Sequence, residues 1–184
     1  MRSISKFWSV DIMQSGIADV LHLIRRIFEY RNMIKIMFVC HGNICRSPMA
    51  EFVFKDILKR EGRESDFFVA SSATSCEEIG NSVHHGTVRK LAQYGISCAG
   101  KRAVRLRKDD YDNYDLFIGM DSYNIVNMLK IFCDDNKNKV HTMLEFIGSK
   151  DDVADPWYTG DFDKTYDDIK KGCEALFKQL CGMQ

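Results

Sequence analysis

The sequence predicts a single-domain α/β protein, in which a short parallel sheet of about four strands is flanked by helices on both faces. Short runs rich in β-branched residues alternate along the chain with longer segments whose apolar residues recur every three or four positions. Strands that alternate with helices pair in parallel, because each helix returns the chain to the same end of the sheet. A length of 184 residues supports one substantial core rather than two.

The first 32 residues precede this alternating pattern and form a separate N-terminal extension. Their apolar residues fall on one helical face, at Ile17, Val20, Leu21, Ile24, Ile27 and Phe28. Charged residues interrupt this face too often for a membrane span. Three interpretations remain open: a helix docked on the domain, an anchor at a membrane interface, or an artefactual upstream start. Met33 directly precedes the first predicted strand, which favours the third interpretation and assigns residues 33–184 to the domain.

The first half of the domain contains two predicted strands and two predicted helices. The apolar run at residues 34–39 predicts the first strand, and the apolar stripe at residues 50–58 predicts a helix that ends near Gly62. Residues 67–71 are predicted to form a second, short strand. Residues 82–94 are predicted to form a helix, since a glycine suited to a helix C-terminus follows them.

The second half repeats the pattern. Residues 116–120 predict a buried strand, and the apolar positions between residues 125 and 132 belong to the helix behind it. Residues 140–143 predict a weak strand. The apolar stripe at residues 169–180 predicts a C-terminal helix, with aspartates near its start, where the helix dipole favours negative charge.

The residues that suit catalysis are concentrated in the loop between the first strand and the first helix. Cys40 supplies a nucleophile, and Arg46, six positions later, supplies a fork that can hold phosphate oxygens. Gly42 and Asn43 tolerate the positive φ of a tight anion-binding turn, and Ser47 suits a helix start. Since ligands of parallel sheets bind at the carboxyl ends of the strands, the loop predicts a phosphate site. The remaining members of this phosphate-binding loop are His41, Ile44 and Cys45.

Charge and cysteine usage narrow the class of function. Lys and Arg number 26 and Asp and Glu number 26, so no net field favours nucleic acid or an anionic membrane. Seven cysteines without paired spacing indicate neither a disulfide framework nor a zinc site. Reduced thiols are typical of the cytoplasm, which is therefore the expected location. We expect no metal and no cofactor, because phosphoryl transfer through a thiol and a guanidinium needs neither.

The loop sequence and several later segments together carry a family resemblance. It starts at Val39-Cys40-His41-Gly42-Asn43-Ile44-Cys45-Arg46-Ser47-Pro48 and continues through Ala50-Glu51 and Phe54. The later segments are Glu78-Ile79-Gly80, Tyr94-Gly95-Ile96, Met120-Asp121 and Asp155-Pro156-Trp157-Tyr158. In order and spacing they resemble the low-molecular-weight protein tyrosine phosphatases over residues 34–181.

This resemblance implies hydrolysis of a phosphotyrosine-containing protein, or of a small aryl phosphate, through a phosphocysteine intermediate. Cys40 would be the nucleophile and Arg46 the clamp on the transferring phosphoryl group. Asp155 would protonate the leaving group and then act as a base towards water. Trp157 and Tyr158 would stack on the aryl ring in a substrate slot. Inhibition by phosphate-like oxyanions is also implied.

The sequence departs from the familiar family pattern at three positions. His41 follows the nucleophile where a small or aliphatic residue is usual. Tyr94 stands where animal members have a histidine that supports the loop asparagine, so Asn43 needs another partner. Ser71 is the candidate for that partner, and Ser71 and Tyr94 are the candidate supports of the loop. Glu77 stands where an aromatic residue often lines the substrate slot, which affects substrate preference more than catalysis.

Cys45, inside the loop, has two interpretations. In the family such a neighbour can form a reversible disulfide with the nucleophile and protect it from overoxidation. The alternative is a small buried residue that fills space.

Three other functions are less compatible with the residues. Arsenate reductases that share this loop need two further redox cysteines, and residues 108–122 contain none. Protein arginine phosphatases carry a threonine where this chain has Ile44. A module that only binds anions would need neither a nucleophile nor an acid, yet Cys40, Arg46 and Asp155 occur together.

Overall fold

A parallel sheet of four strands forms the centre of the computed structural model, which describes residues 33–182. The strands are β1 (Ile34–Cys40), β2 (Phe67–Ala73), β3 (Leu116–Gly119) and β4 (Val140–Thr142). Their spatial order is β2-β1-β3-β4, and every adjacent pair is parallel. The predicted α/β class and the parallel sheet are confirmed. The predictions for residues 1–32 lie outside the described residues.

Helices of very different lengths connect and cover the strands. Within residues 33–182 they are α1 (Arg46–Arg60), α2 (His85–Ala92), α3 (Asp110–Asn113), α4 (Ser122–Phe132), α5 (Pro156–Thr159) and α6 (Phe162–Leu180). Two 3-10 turns precede β2 and follow β4, at Glu64–Asp66 and Met143–Ile147. Among the described helices, none combines the length and the apolar character that crossing a membrane requires.

Both faces of the sheet are covered, because successive side chains of β1 point in opposite directions. Ile36, Phe38 and Cys40 join the larger apolar cluster, which also contains buried residues of α1 and α6. Met37 and Val39 join a second cluster with apolar residues of α4. β1 is therefore buried on both sides, which explains its continuous apolar sequence.

Phe54 of α1 belongs to the larger cluster and is fully buried. Its ring meets three other phenylalanine rings edge to face, with centroid distances of 5.8 Å to Phe38, 5.8 Å to Phe67 and 6.5 Å to Phe177. These contacts join β1, β2 and α6 to α1, the helix that follows the phosphate-binding loop. The start of α1, and with it the loop, is thus fixed by the main core.

Several predicted boundaries differ from the structure by one to three residues. The helix predicted over residues 82–94 is shorter, since α2 begins at His85 and ends at Ala92. Its N-terminal boundary is set by Ser82, which forms an isolated antiparallel bridge with Arg102 and so lies in extended backbone. The strand predicted over residues 67–71 continues to Ala73, because β1 pairs with β2 along its whole length.

Candidate active site

Cys40, the predicted nucleophile, is the last residue of β1 and is 3% exposed. Its Sγ lies 3.0 Å from Ser47 Oγ, and it accepts a hydrogen bond of 3.2 Å from the backbone N–H of Asn43. The end of the strand, the loop and the first turn of α1 thus meet at one sulfur atom. Donors of this kind stabilise negative charge on sulfur, and the start of a helix adds to that effect.

Asn43 holds the loop in shape. It has a φ of 57°, in the left-handed region that asparagine tolerates, and it is completely buried. Its side-chain amide donates to Ser47 Oγ at 2.9 Å and to Ser71 Oγ at 2.8 Å. Its Oδ1 accepts from the backbone N–H of Val104 at 3.1 Å. The predicted support from Ser71 is therefore present as a contact. Gly42, the other residue expected to use positive φ, has a φ outside that region.

The backbone of the loop offers donors to an anion. In the part of the chain that the structure describes, the N–H groups of Gly42, Ile44 and Cys45 donate to no protein acceptor. Gly42 also leaves room for the side chain of Glu78, because a Cβ on Gly42 would lie 3.1 Å from Glu78 Cγ, closer than an ordinary van der Waals contact. Unpaired amides ahead of the N-terminus of α1 are the arrangement that binds phosphate in other proteins.

A buried ion pair completes the hydrogen-bond network of the loop. Ser71 Oγ donates to Glu51 Oε2 at 2.6 Å, and Glu51 is paired with Lys101 at 2.9 Å and with Lys55 at 2.5 Å. Burial alone would raise the pKa of Glu51, but the two lysines and the Ser71 hydroxyl outweigh burial and hold that pKa below its usual value.

The Glu51 carboxylate sets the direction of the hydrogen bonds that lead back to Cys40. Ser71 gives its single proton to Glu51, so its oxygen accepts from Asn43. The other amide proton of Asn43 goes to Ser47 Oγ, which leaves the Ser47 hydroxyl proton for another acceptor. Cys40 Sγ at 3.0 Å is that acceptor, since the alternative, the carbonyl of Ser72, lies 3.4 Å away.

Arg46 begins α1 and is 4% exposed. One guanidinium nitrogen contacts Asp121 Oδ2 at 2.6 Å and the carbonyl of Val153 at 3.2 Å, and the other contacts Asp155 Oδ2 at 2.5 Å. Burial opposes its charge, but the negative charges of Cys40 and the two carboxylates outweigh burial and raise the pKa of Arg46. Asp121 is held in turn as the N-cap of α4, where it accepts from the backbone N–H of a first-turn residue at 2.6 Å.

Asp155, the predicted acid, is the N-cap of the short helix α5. Its Oδ1 accepts the backbone N–H of Trp157 at 3.1 Å, while its Oδ2 faces Arg46. The following proline occupies the first helical position, where it has no N–H to satisfy. The carboxylate is thus fixed at both oxygens beside the phosphate-binding loop, and its side chain is 22% exposed.

The loop and the acid line one cleft of about 410 Å³. Cys40, Arg46 and Asp155 line it together with loop residues, and the predicted slot residues Glu77, Trp157 and Tyr158 line it as well. Trp157 and Tyr158 are 59% and 85% exposed. His41 also lines the cleft, and its Nε2 lies 3.1 Å from Glu77 Oε2. Within residues 33–182, no cluster of three or more His, Cys, Asp and Glu side chains is arranged to hold a metal ion.

Cys45 differs sharply from Cys40 in its surroundings. It is 5% exposed and packs with Ile44 and Ala103 in a small apolar cluster. Burial, followed by the charge of Cys40, raises the pKa of the Cys45 thiol from 9.0 to about 12. Cys45 is therefore a neutral thiol near neutral pH.

Part of the support of the loop and of Arg46 comes from residues that sequence reasoning did not assign. Tyr94, the second candidate support of the loop, lies elsewhere: it is half exposed and its ring stacks on that of Tyr166 at 4.2 Å. Lys101 and Asp121 instead reach the loop network and Arg46. Neither could be assigned a contact from sequence, because a charged residue in a loop ordinarily faces solvent.

The sequence model of the low molecular weight phosphotyrosine protein phosphatase family matches residues 35–183. Among the relatives, the low molecular weight protein-tyrosine-phosphatase YfkJ of Bacillus subtilis is 38% identical over 150 residues, which cover 80% of this chain and 96% of that protein. Its crystal structure matches with a TM-score of 0.78, covering 82% of this chain and 96% of YfkJ.

Two further solved structures have the same fold. SP-PTP, a low molecular weight protein tyrosine phosphatase from Streptococcus pyogenes, is 40% identical with a TM-score of 0.72, covering 80% of this chain and 93% of that one. Vibrio vulnificus Wzb, solved in complex with benzylphosphonate, is 25% identical with a TM-score of 0.71, covering 80% and 99%. The match extends over the whole sheet and the cysteine loop, and the chain therefore belongs to the low molecular weight phosphotyrosine protein phosphatase family and is an enzyme of the protein-tyrosine-phosphatase class.

Proposed function

We propose that this chain hydrolyses phosphotyrosine in proteins, and small aryl phosphates, through a phosphocysteine intermediate on Cys40. The observation that carries the proposal is the convergence of three groups on one cleft: a sulfur atom that accepts a backbone hydrogen bond, a buried guanidinium and a carboxylate. A nucleophile, an anion clamp and a proton donor are the three groups that such a reaction requires.

Binding of the phosphate dianion would use Arg46 and the free loop amides. The guanidinium would exchange its contacts with Asp121 and Asp155 for two phosphate oxygens in a bidentate fork. The N–H groups of Gly42, Ile44 and Cys45 would take the remaining oxygen contacts. Each donor is preorganised by the loop, so little reorganisation is needed when charge redistributes in the transition state.

The first chemical step forms a bond between Cys40 sulfur and phosphorus and breaks the bond from phosphorus to the aryl oxygen. The leaving oxygen takes a proton from Asp155 and departs as a neutral phenol. Ser47 donates to the sulfur before attack and again when sulfur becomes the leaving group.

The second step reverses these roles. Asp155, now a carboxylate, removes a proton from a water molecule that attacks the phosphorus of the phosphocysteine. The sulfur–phosphorus bond breaks, Cys40 returns to the thiolate, and inorganic phosphate is released. Phosphate-like oxyanions would occupy the same cradle and inhibit the reaction.

The walls of the cleft favour a flat ring. Trp157 and Tyr158 present exposed aromatic surface beside the acid, where an aryl group can stack. Benzylphosphonate, with which the relative Wzb was solved in complex, carries a flat phenyl ring next to its phosphonate group. A nucleophilic thiol persists in a reducing compartment, so we assign the enzyme to the cytoplasm.

Acidic residues of the cleft would select among phosphorylated sequences. Glu77 and Glu78 line the cleft, and both are at least partly exposed. We expect basic or neutral residues beside the phosphotyrosine to be preferred over acidic ones, because like charges repel at short range. Equal turnover of phosphopeptides with lysine and with glutamate flanks would contradict this preference.

The decisive experiment is hydrolysis of para-nitrophenyl phosphate near pH 6 without added metal. Cys40→Ser should abolish turnover, and Asp155→Ala should reduce it by about 10²- to 10⁴-fold, the usual contribution of a general acid. Cys76→Ser and Asp151→Asn are matched controls, since both residues are exposed, and they should behave like the wild type. Wild-type protein that binds orthovanadate but hydrolyses nothing would reduce the site to an anion-binding module.

A further inference from the structure

We propose that His84 is a positioning residue for Asp155 and holds the segment that carries this acid against the phosphate-binding loop. The proposal rests on the proposed function, since it takes Asp155 to be the general acid. Sequence patterns gave His84 no role. In the structure His84 contacts three parts of the site: the loop, the start of α2 and the acid segment, defined as residues 155–160.

The backbone and the side chain of His84 are both fixed. Its N–H donates to the carbonyl of Ile44 in the phosphate-binding loop at 2.8 Å. Its side chain caps α2, because Nδ1 accepts the backbone N–H of Gly86 at 3.1 Å. Since Nδ1 is the acceptor, the neutral ring carries its proton on Nε2. The imidazole therefore has one orientation relative to the loop.

Two aromatic side chains contact this ring, one from within the acid segment and one from just after its C-terminal end. Phe162, the first residue of α6, stacks parallel to it with a centroid distance of 5.4 Å and an interplanar angle of 2°. Trp157, within the segment, meets it edge to face at 5.8 Å and 70°. The backbone N–H of Trp157 donates to Asp155, so the position of the indole and that of the carboxylate are linked.

Gly86 is required for this arrangement. A Cβ on Gly86 would overlap the Phe162 ring, far inside any real contact. The missing side chain thus lets Phe162 lie over the first turn of α2 and reach His84. The start of α6, and with it the C-terminal end of the acid segment, is held close to the loop.

The surroundings of His84 favour the neutral form of its ring. Burial lowers the pKa of His84, and the electrostatic influence of His85 and Arg89 on α2 lowers it further. Glu78, from the preceding segment, acts in the opposite direction and is outweighed. A neutral ring can keep accepting the Gly86 N–H, which an imidazolium could not.

The test uses the dependence of kcat/KM on the leaving group. An ester whose phenol is strongly acidic leaves without protonation, whereas phenyl phosphate and phosphotyrosine need the acid. Two variants, His84→Ala and His84→Asn, remove the ring, and the second keeps a capping group. Both should lower kcat/KM for phenyl phosphate about tenfold more than for 2,4-dinitrophenyl phosphate, since small misplacements of catalytic groups cost this much or more. His84→Phe, which keeps the ring, should retain most of the wild-type ratio. His141→Ala, at a histidine that does not line the cleft, is the control and should leave both rates unchanged.

The outcomes separate the two proposals. Asp155→Ala must show the same selective loss, to a larger extent; if it does not, Asp155 is not the acid, and both proposals fail. If Asp155→Ala shows it and His84→Ala lowers both esters equally or neither, the positioning role is wrong and the proposed function stands. Phe162→Leu provides a second variant should His84→Ala not fold, and it should reproduce the selective loss; equal losses for both esters would overturn the inference.

Discussion

Replacing Lys101 with methionine is expected to destabilise the protein by about 2–4 kcal/mol, because the buried carboxylate of Glu51 loses one of its two cations. The side chains of Glu51 and Lys101 are only 6% and 13% exposed, and their charged atoms are 2.9 Å apart. Removing one member of such a pair costs about 3–5 kcal/mol, since the other charge stays buried. Lys55 still contacts Glu51, but it is 43% exposed and offsets only part of the loss.

The assay is urea unfolding followed by far-UV circular dichroism, with Glu51→Gln and the double variant measured alongside. Glu51→Gln should cost as much as Lys101→Met or more, because it strands a buried ammonium. The double variant should cost less than the sum of the two by at least about 1 kcal/mol, the sign of a direct interaction. Lys55→Met is the matched control and should cost under about 1 kcal/mol, as exposed pairs do.

The reasoning would be refuted if Lys101→Met changed stability by less than about 0.5 kcal/mol, the usual range for surface substitutions. Strict additivity in the double variant would refute it as well, since the two residues would then contribute independently. A change of the urea m-value in one variant alone would instead indicate an altered unfolded state.

Three other predictions follow from single features of the structure. Because the folded-state pKa of Glu51 is lowered, its stabilising contribution is present above its ordinary pKa of 4.5 and is lost as the pH falls through the folded value. The difference in unfolding free energy between wild type and Glu51→Gln should therefore shrink in acid. A difference that widens in acid would contradict the lowered pKa. Since burial raises the pKa of Cys45 to about 12, iodoacetamide at neutral pH should label Cys40 and spare Cys45, as read by mass spectrometry; equal labelling in the native protein would contradict this. Phe54→Ala should cost about 3–5 kcal/mol in urea unfolding, because it leaves a cavity among three phenylalanine rings, and a loss under about 1 kcal/mol would mean that the core closes over it.

The features that sequence predicts well here are local or periodic. The strands and the longer helices follow from apolar patterns, and the sheet of four parallel strands is confirmed. The contacts of Cys40 with Asn43 and Ser47 join residues at most seven positions apart, within one strand, one turn and one helix start. The assigned roles of these residues stay predictions until activity is measured.

The features that sequence missed join distant segments through a single contact each. Glu51 and Lys101 are brought together by tertiary packing, and neither position carries a periodic signal for that pairing. His84 reaches Trp157 only because α6 returns to the start of α2. The short helix α5, four residues long, is below the length at which apolar periodicity can be recognised.

The two carboxylates on Arg46 have a consequence for which anions the protein retains in a mixed solution. An incoming anion gains only the difference between its own interaction with the guanidinium and that of Asp121 and Asp155, which are already in place. A monoanion such as chloride or acetate carries less charge than the two carboxylates together and gains little. A phosphate dianion brings twice the charge and enough oxygens to engage the fork and the loop amides together. We therefore expect the resting contacts of Arg46 to favour phosphate dianions over monoanions, independently of the shape of the cleft.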